Sequence, residues 1–560
     1  MYEKLRALLC TGSLALATIL AAPVQAGTAY VHLFEWKWKD IATECENFLG
    51  PKGFDAVQIS PPHEHINVQN WWARYQPVSF TNLTSRGGTE GELREMVRRC
   101  KAAGVKIYAD VVMNNWASYG GGGIGTGGSR WTPRNYPDLG PENFHNYNCT
   151  VDNYYDENNV WDCGLLDMPD LHTGKPYPQD YSAAYIRRLT DMGIAGFRID
   201  AAKHIRPHEL DAILAKAGRP WVSLEVIGAP KEAVQPSEYT HIGQVTEFGY
   251  GVNLKKHFDG QIKNLRGIGE GWGLLPSSSA TVFVVNHDRE RNHGGGDMYS
   301  YRDGSKYNIA NVFMLAYPYG YPVIMSGYDF TDTEVGPPSS GPANCTNRAW
   351  NCDHRWSNIA NMVGFRNYTI GAWSVDNWYD NGNNFIAFGR GDKGFVAINN
   401  EGHSVTETLY TGMPAGTYCD VLSAEEPCGG SKITVDGSGR ATFTVAALSA
   451  AAIYGGKKDG GNDDYVSSYP SMNFRGTPNS WGATAMTLVD DYTWEATVTF
   501  DGSANQRFKF DVAGDWATNF GDYNGDGVAE QGGSDIHTAV SGQYKVRFND
   551  STLRYSLTAP

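Results

Sequence analysis

Eight short apolar runs, separated by segments with helical signals, constrain this chain more than any other feature. They are Tyr30 to Trp36, Ala56 to Ser60, Lys106 to Met113, Gly196 to Asp200, Trp221 to Ile227, Gln244 to Phe248, Thr281 to Asp288 and Pro322 to Ser326. Apolar runs that alternate with helices predict parallel strands joined by crossover helices, and eight of them predict closure into a (β/α)8 TIM barrel, an α/β fold. Between the second and third runs, Thr89 and Glu92 carry the capping-box pattern of a helix that Gly104 ends. The alternation breaks after the third run, where residues 114–180 are rich in Gly, Asn, Tyr and Pro and contain two Cys. A segment that long predicts a small inserted domain, leaving from the strand end that carries the chemistry in barrels.

The barrel therefore takes residues 27–113 and 181–370. Beyond it, strands without helices, Asn384 to Gly389, Gly394 to Asn399 and Ala441 to Tyr454, predict an antiparallel β-sandwich over 371–455. A polar, glycine-rich linker covers 456–464 within GGKKDGGNDD. Period-2 runs from Trp494 to Phe500 and from Gln506 to Val512 predict a further all-β unit over 465–560.

At the start, Lys4 and Arg6 precede the apolar stretch Leu8 to Ala22 and the small residues around Val24-Gln25-Ala26, which reads as a cleavable secretory signal over 1–26. Export to the extracellular space is expected, and no later segment has the roughly 20 apolar residues that a bilayer span needs. Of nine Cys, Cys10 leaves with the signal, and eight remain in a chain bound for an oxidising compartment. Their spacing suggests Cys149 with Cys163, Cys345 with Cys352 and Cys419 with Cys428, leaving Cys45 for Cys100, although spacing alone does not fix that connectivity. The formal net charge of −15 argues against nucleic acid or an anionic membrane as partner. A neutral ligand is indifferent to it, and a monomer is expected.

GFRIDAAKH, Gly196 to His204, places Arg198 and Asp200 on one face of a strand, then adds Lys203 and His204. A buried ion pair is costly and seldom improves stability, so a functional role is expected. Three strand ends carry acids: Asp200, Glu225 in WVSLEVIG and Asp288 in FVVNHDRER. Crowded carboxylates cannot all ionise at ordinary pKa, a conflict that glycosidic cleavage uses by needing one bare carboxylate and one proton donor. Arg198 is expected to lower the pKa of Asp200 and keep it ionised as nucleophile, with Glu225 as acid/base.

DVVMNN, GFRIDAAKH, SLEVIG and FVVNHD, in that order, resemble the four motif regions of the alpha-amylase family of glycoside hydrolases, in its animal-type and marine-bacterial branch. The likeness extends through HLFEWKWKD, WWARYQP, GEGWGLLPSSSA and FMLAYPYGYP, over roughly residues 28–455. The resemblance implies Asp200 as nucleophile, Glu225 as acid/base and Asp288 as the third acid. It also implies sugar contacts from Arg198, Lys203, His204 and His287, with Trp71, Trp72 and Tyr75 stacking on glucose faces and Gln76 hydrogen bonding. Calcium is implied at Asn114, Asp170 and the carbonyls of Trp161 and His204.

Two positions depart from the pattern. Asn115 stands where His is usual, replacing that contact to the cleaved sugar with a shorter amide, and Val323 stands where a basic residue completes a chloride site with Arg198 and Asn286. Weak or absent chloride dependence follows. In the C-terminal unit, FRGTPNSWG, TWEATVTF and DWATNFGD resemble a starch-binding module, with Trp481, Trp494 and Trp516 as candidate stacking residues. DYNGDGVAE, Asp522 to Glu530, has the rhythm of a calcium loop but Gly533 at its twelfth position, and reads as a solvated turn.

These implications add up to a retaining alpha-amylase that hydrolyses internal α-1,4 bonds of starch, glycogen and maltooligosaccharides. The rivals are a carbohydrate-binding protein with a degenerate barrel, motivated by Asn115, and a transglycosylating or maltooligosaccharide-forming enzyme.

Overall fold

The computed structural model describes residues 28–559, apart from 146–147, 296, 340–342, 344, 346–348, 426–427, 459–466, 470 and 491. The signal segment, and most of the linker expected at 456–464, lie outside the described residues. Eight parallel strands close into a barrel: β1 (Tyr30–Leu33), β2 (Ala56–Ile59), β3 (Lys106–Val111), β4 (Gly196–Ile199), β5 (Trp221–Leu224), β6 (Gln244–Thr246), β7 (Ala280–Phe283) and β8 (Tyr321–Ser326). Neighbours in the barrel are neighbours in sequence, and β8 returns to β1. Several strands stop short of their expected ends, β1 at Leu33 and β7 at Phe283, because the chain leaves the ladder there to build the rim loops. The capping box forms as expected, Thr89 accepting from the Glu92 N–H at the start of helix Glu90–Ala102.

One end of the barrel is plugged by aromatics. Tyr30, Tyr108, Trp221 and Tyr321 meet there, with Tyr108 stacked on Trp221 at 4.3 Å and Tyr30 against Tyr321 at 4.8 Å. Gly196 makes the plug possible, since a Cβ there would sit 2.5 Å from the Trp221 ring. That accounts for the glycine opening GFRID, and two residues later Arg198 faces the interior one layer above, in register with Asp110 on β3 and Ser223 on β5.

Between β3 and β4 lie a small hairpin, Gly123–Ile124 with Arg130–Trp131, and the short helix Glu157–Asp162. Helix Pro176–Asp191 runs through residue 180, so the expected boundary of the inserted segment falls inside a continuous helix. Beyond the barrel, two four-stranded antiparallel sheets pack around Phe385, Phe395, Tyr418 and Phe443. The run expected as one strand, Ala441 to Tyr454, is two strands in different sheets, Arg440–Val445 and Ser449–Tyr454, turned at Leu448 with φ of 50°. The C-terminal unit is again two antiparallel sheets, closed over Phe474, Phe508, Phe510 and Phe548. Its DYNGDGVAE stretch is a turn in which Asp522 accepts from the Asn524, Gly525 and Gly527 N–H groups and the Tyr555 hydroxyl. Asp522 is buried rather than solvated.

All four expected cysteine pairings are formed. Two buried arginines hold this part of the molecule: within the barrel, Arg366 donates to the carbonyls of Thr28, Tyr317 and Gly320, and from the sandwich Arg390 donates to those of Ala316 and Ala372. Burial, then the charge of Arg390, pulls Arg366 down to about 9, and burial pulls Arg390 to about 10 against the opposing charge of Asp376. Arg366→Met, which orphans those carbonyls, should lower stability by about 3 kcal/mol or more in urea unfolding. An unchanged midpoint would show that they are satisfied without it.

Candidate active site

β3, β4, β5 and β7 open onto one rim and bring four carboxylates around one guanidinium. Arg198 Nη1 donates to both oxygens of Asp110 and to Asp200 Oδ1, each at 2.8 Å, and Arg198 Nη2 lies 2.5 Å from Glu225 Oε1. Glu225 Oε2 accepts from the Ala201 N–H at 2.9 Å. Ala201 holds the left-handed conformation, φ of 46°, the turn that aims this N–H at Glu225. Asp288, beyond β7, accepts from Asn286 Nδ2 at 3.2 Å and lies 3.4 Å from His287 Nε2. Asp110 was not foreseen as a site residue. Its signal was its place in DVVMNN, which β3 brings into register with Arg198.

The electrostatics revise one expectation. Arg198 was expected to lower the pKa of Asp200 and keep it ionised, yet it is shared among three acids. Burial pushes the Asp200 carboxyl well above the usual range, Arg198 opposes this, and Glu225, Asp110 and Asp288 add to it. Burial, then Glu225, likewise raises Asp288 to about 7. Glu225 was expected to face other acids, and it also accepts the Ala201 N–H and lies in ion-pair contact with Arg198. Asp110, Asp200 and Asp288 are raised together by burial and by neighbouring acids, with Arg198 opposing. His287 is held neutral by burial and by Arg198, its pKa well below the usual value.

WWARYQP forms one short 3-10 turn, Trp71–Tyr75, ending at Gln76. The Tyr75 hydroxyl donates to Asp110 at 2.9 Å, and its ring stacks on His287 at 5.2 Å. Trp71 is buried against Tyr75, His287 and His293, so it supports the cleft wall and is not an open stacking face. Trp72 is partly exposed and donates through Nε1 to Glu334. Gln76 Oε1 accepts the N–H groups of Ser118 and Tyr119, both at 3.0 Å. Lys203 is held by Glu232 at 2.5 Å, by the Ile227 carbonyl and over the Tyr154 ring, so its ammonium is already occupied. Asn115 is buried, accepting from Asn114 Nδ2.

The residues expected to hold calcium fit a hard cation. Asp170 is buried, its Oδ2 lies 2.5 Å from His145 Nδ1, and its Oδ1 has no hydrogen-bond partner. An orphaned carboxylate oxygen beside Asn114 is the donor such an ion takes. His204 Nδ1 binds the Val160 carbonyl at 2.9 Å, which brings the helix bearing Trp161 against it. His145 was not foreseen. Glu44, Cys345 and His354 also cluster among the described residues, but Cys345 is in a disulfide and Glu44 is paired with Arg355.

At the expected chloride position, Arg198, Asn286, His32 and Val323 line a small cavity of about 30 Å³. Both ends of the Asn286 amide are engaged locally, with Asp288 and with the Arg289 N–H. In the C-terminal unit, Trp481 and Trp516 lie side by side, ring centroids 5.8 Å apart, with Arg475 packed over Trp516 at 4.0 Å. Trp494 does not join them. It is core, donating to Asp550.

Residues 375–456 match the family described as alpha amylase, C-terminal all-beta domain. Among curated proteins, the chain is 54% identical to an alpha-amylase of Aeromonas hydrophila over 61% of this chain and 78% of that protein. It is 42% identical to an alpha-amylase of Pecten maximus over 80% of this chain and 97% of that protein. Among solved structures, wild-type alpha-amylase I from Eisenia fetida superimposes with a TM-score of 0.73 at 39% identity, covering 76% of this chain and 97% of that one. A mutant of the same enzyme, solved with maltohexaose, matches equally. Eight strands closed around a shared guanidinium, followed by this all-β region and spanning nearly the whole of such relatives, show that the chain belongs to the alpha-amylase family of glycoside hydrolases.

Proposed function

We propose that this alpha-amylase is secreted as a monomer and cleaves internal α-1,4 bonds of starch and glycogen with retention of configuration. The observation that carries the mechanism is the sharing of Arg198 by Asp200 and Glu225. Asp200 and Glu225 reach one guanidinium from adjacent strand ends, and we take them as the close pair that retention needs rather than the pair about 6.5–9.5 Å apart that admits a water. Asp200 Oδ2 attacks the anomeric carbon as the bond to the leaving oxygen breaks, and Glu225 gives that oxygen a proton. The glycosyl ester on Asp200 is then opened by water, whose proton returns to Glu225. Arg198 balances the charge on Asp200, Asp288 holds sugar hydroxyls in the distorted transition state, and neutral His287 donates to the sugar. The acids being assembled supports this reading over a degenerate, purely binding barrel. The disulfides support export, and no described helix is long and apolar enough to cross a membrane.

A calcium ion held by Asn114, Asp170, Trp161 and His204 would supply charge that ties residues 114–170 to the β4 rim. Trp481 and Trp516 supply the apolar faces of a starch-binding module.

Asp200→Asn should abolish release of reducing ends from soluble starch, by at least about a thousandfold. Asp110→Asn should slow the enzyme and move the acid limb of kcat/KM to lower pH, since removing a neighbouring negative charge lowers the Asp200 pKa. A limb that moves upward would sink the charge-sharing account. Chelation should lower both activity and the thermal midpoint, whereas chloride added to chloride-free enzyme should change kcat/KM less than about twofold. A strong chloride activation would show that Val323 does not disable the site. Trp481→Ala with Trp516→Ala should cut adsorption to starch granules about tenfold while soluble-starch hydrolysis persists. Equal adsorption would remove the module assignment.

A further inference from the structure

The wall of the cleft does not end at WWARYQP. Beyond Tyr75 on Asp110 and buried Trp71 beside it, Trp72 and Tyr119 form a second aromatic pair, their ring centroids 5.0 Å apart. Trp72 is partly exposed and Tyr119 is open, at 54%. An aromatic left that open costs hydration, and its position is not accidental, because the chain beneath it is fixed from two sides. Gln76 Oε1 accepts the N–H groups of both Ser118 and Tyr119, and the preceding residue, Ala117, donates to the Pro77 carbonyl and accepts from the Tyr136 hydroxyl. Past Tyr119 the chain turns through Gly120, Gly121 and Gly122 at φ of 72°, 75° and 139°, conformations that side chains resist. Trp72 is fixed in turn by Glu334, whose other oxygen lies 3.1 Å from His293.

We infer that Tyr119 and Trp72 form a distal sugar-binding wall that selects longer α-glucans, and that Gln76 is a positioning residue that presents Tyr119. The two ring planes meet at 63°. An α-1,4-linked chain curves, so consecutive glucose faces are inclined to one another, and an angled wall offers each an apolar surface where a flat one would serve a single ring. Gln76 was expected to hydrogen bond a sugar directly; here we assign its Oε1 to presenting the loop. Its carbonyl oxygen is committed to the loop backbone. The inference rests on the α-glucan reading, and activity of the unaltered enzyme on maltotriose tests that reading separately.

The measurement is kcat and KM on maltoheptaose and maltotriose for Tyr119→Ala, Tyr119→Phe, Gln76→Ala and Gln76→Glu. Tyr119→Ala should raise KM for maltoheptaose about three- to tenfold with kcat little altered, lowering the maltoheptaose-to-maltotriose ratio of kcat/KM by the same factor. Tyr119→Phe should keep the wild-type ratio. Gln76→Ala should reproduce the loss, the double variant Gln76→Ala with Tyr119→Ala should lose no more than Gln76→Ala alone, and Gln76→Glu should restore the ratio, since a carboxylate accepts the same two N–H groups. An unchanged ratio in Tyr119→Ala, or equal losses on both lengths, would overturn the wall. Failure of Gln76→Glu to rescue, or an additive double variant, would assign Gln76 a direct sugar contact and overturn its positioning role.

Discussion

One buried guanidinium organises this molecule's chemistry. Arg198 is fixed by Asp110, Asp200 and Glu225, residues from three adjacent strands, and its removal would leave several negative charges facing one another out of water. A buried ionic cluster is a poor route to stability, and the barrel around it is built to hold it regardless. The aromatic plug of Tyr30, Tyr108, Trp221 and Tyr321 fills the layer below, and Gly196 gives that plug its room. Arg198 is thus set at a fixed height beneath the rim.

The same sharing changes what each acid does. A private ion pair would lower one carboxyl and leave the rest untouched. A shared cation offsets burial only in part, so Asp110, Asp200 and Asp288 are all raised. The shared cation therefore distributes its stabilisation over the cluster instead of lowering one carboxyl alone. Which carboxyl carries the proton is a property of the set, settled when a sugar enters and displaces water from it.

Support for the cleft comes from residues that do no chemistry. Trp71 backs Tyr75 and His287, His145 fixes one oxygen of Asp170, and Glu232 holds Lys203. Gln76 does the same for the glycine-rich segment after β3. Such contacts, with the Gln76 hydrogen bonds tying the inserted region to the barrel, let the rim be long and irregular yet hold its side chains in place.

Periodicity and residue type alone determined the eight strands, the capping box at Thr89 and the strand ends that carry Asp200, Glu225 and Asp288, because strand patterning and helix capping are local. The order of the motifs identified the family resemblance for the same reason: each motif is a contiguous string. Tertiary structure decided everything that depends on which groups face one another. It made Arg198 a shared cation and added Asp110 to the cluster. It turned Trp71 and Trp494 inward, split Ala441 to Tyr454 between two sheets, and gave Gln76 to the backbone of Ser118 and Tyr119. Burial and Coulomb terms depend on distances across the fold, and no spacing along a chain encodes them.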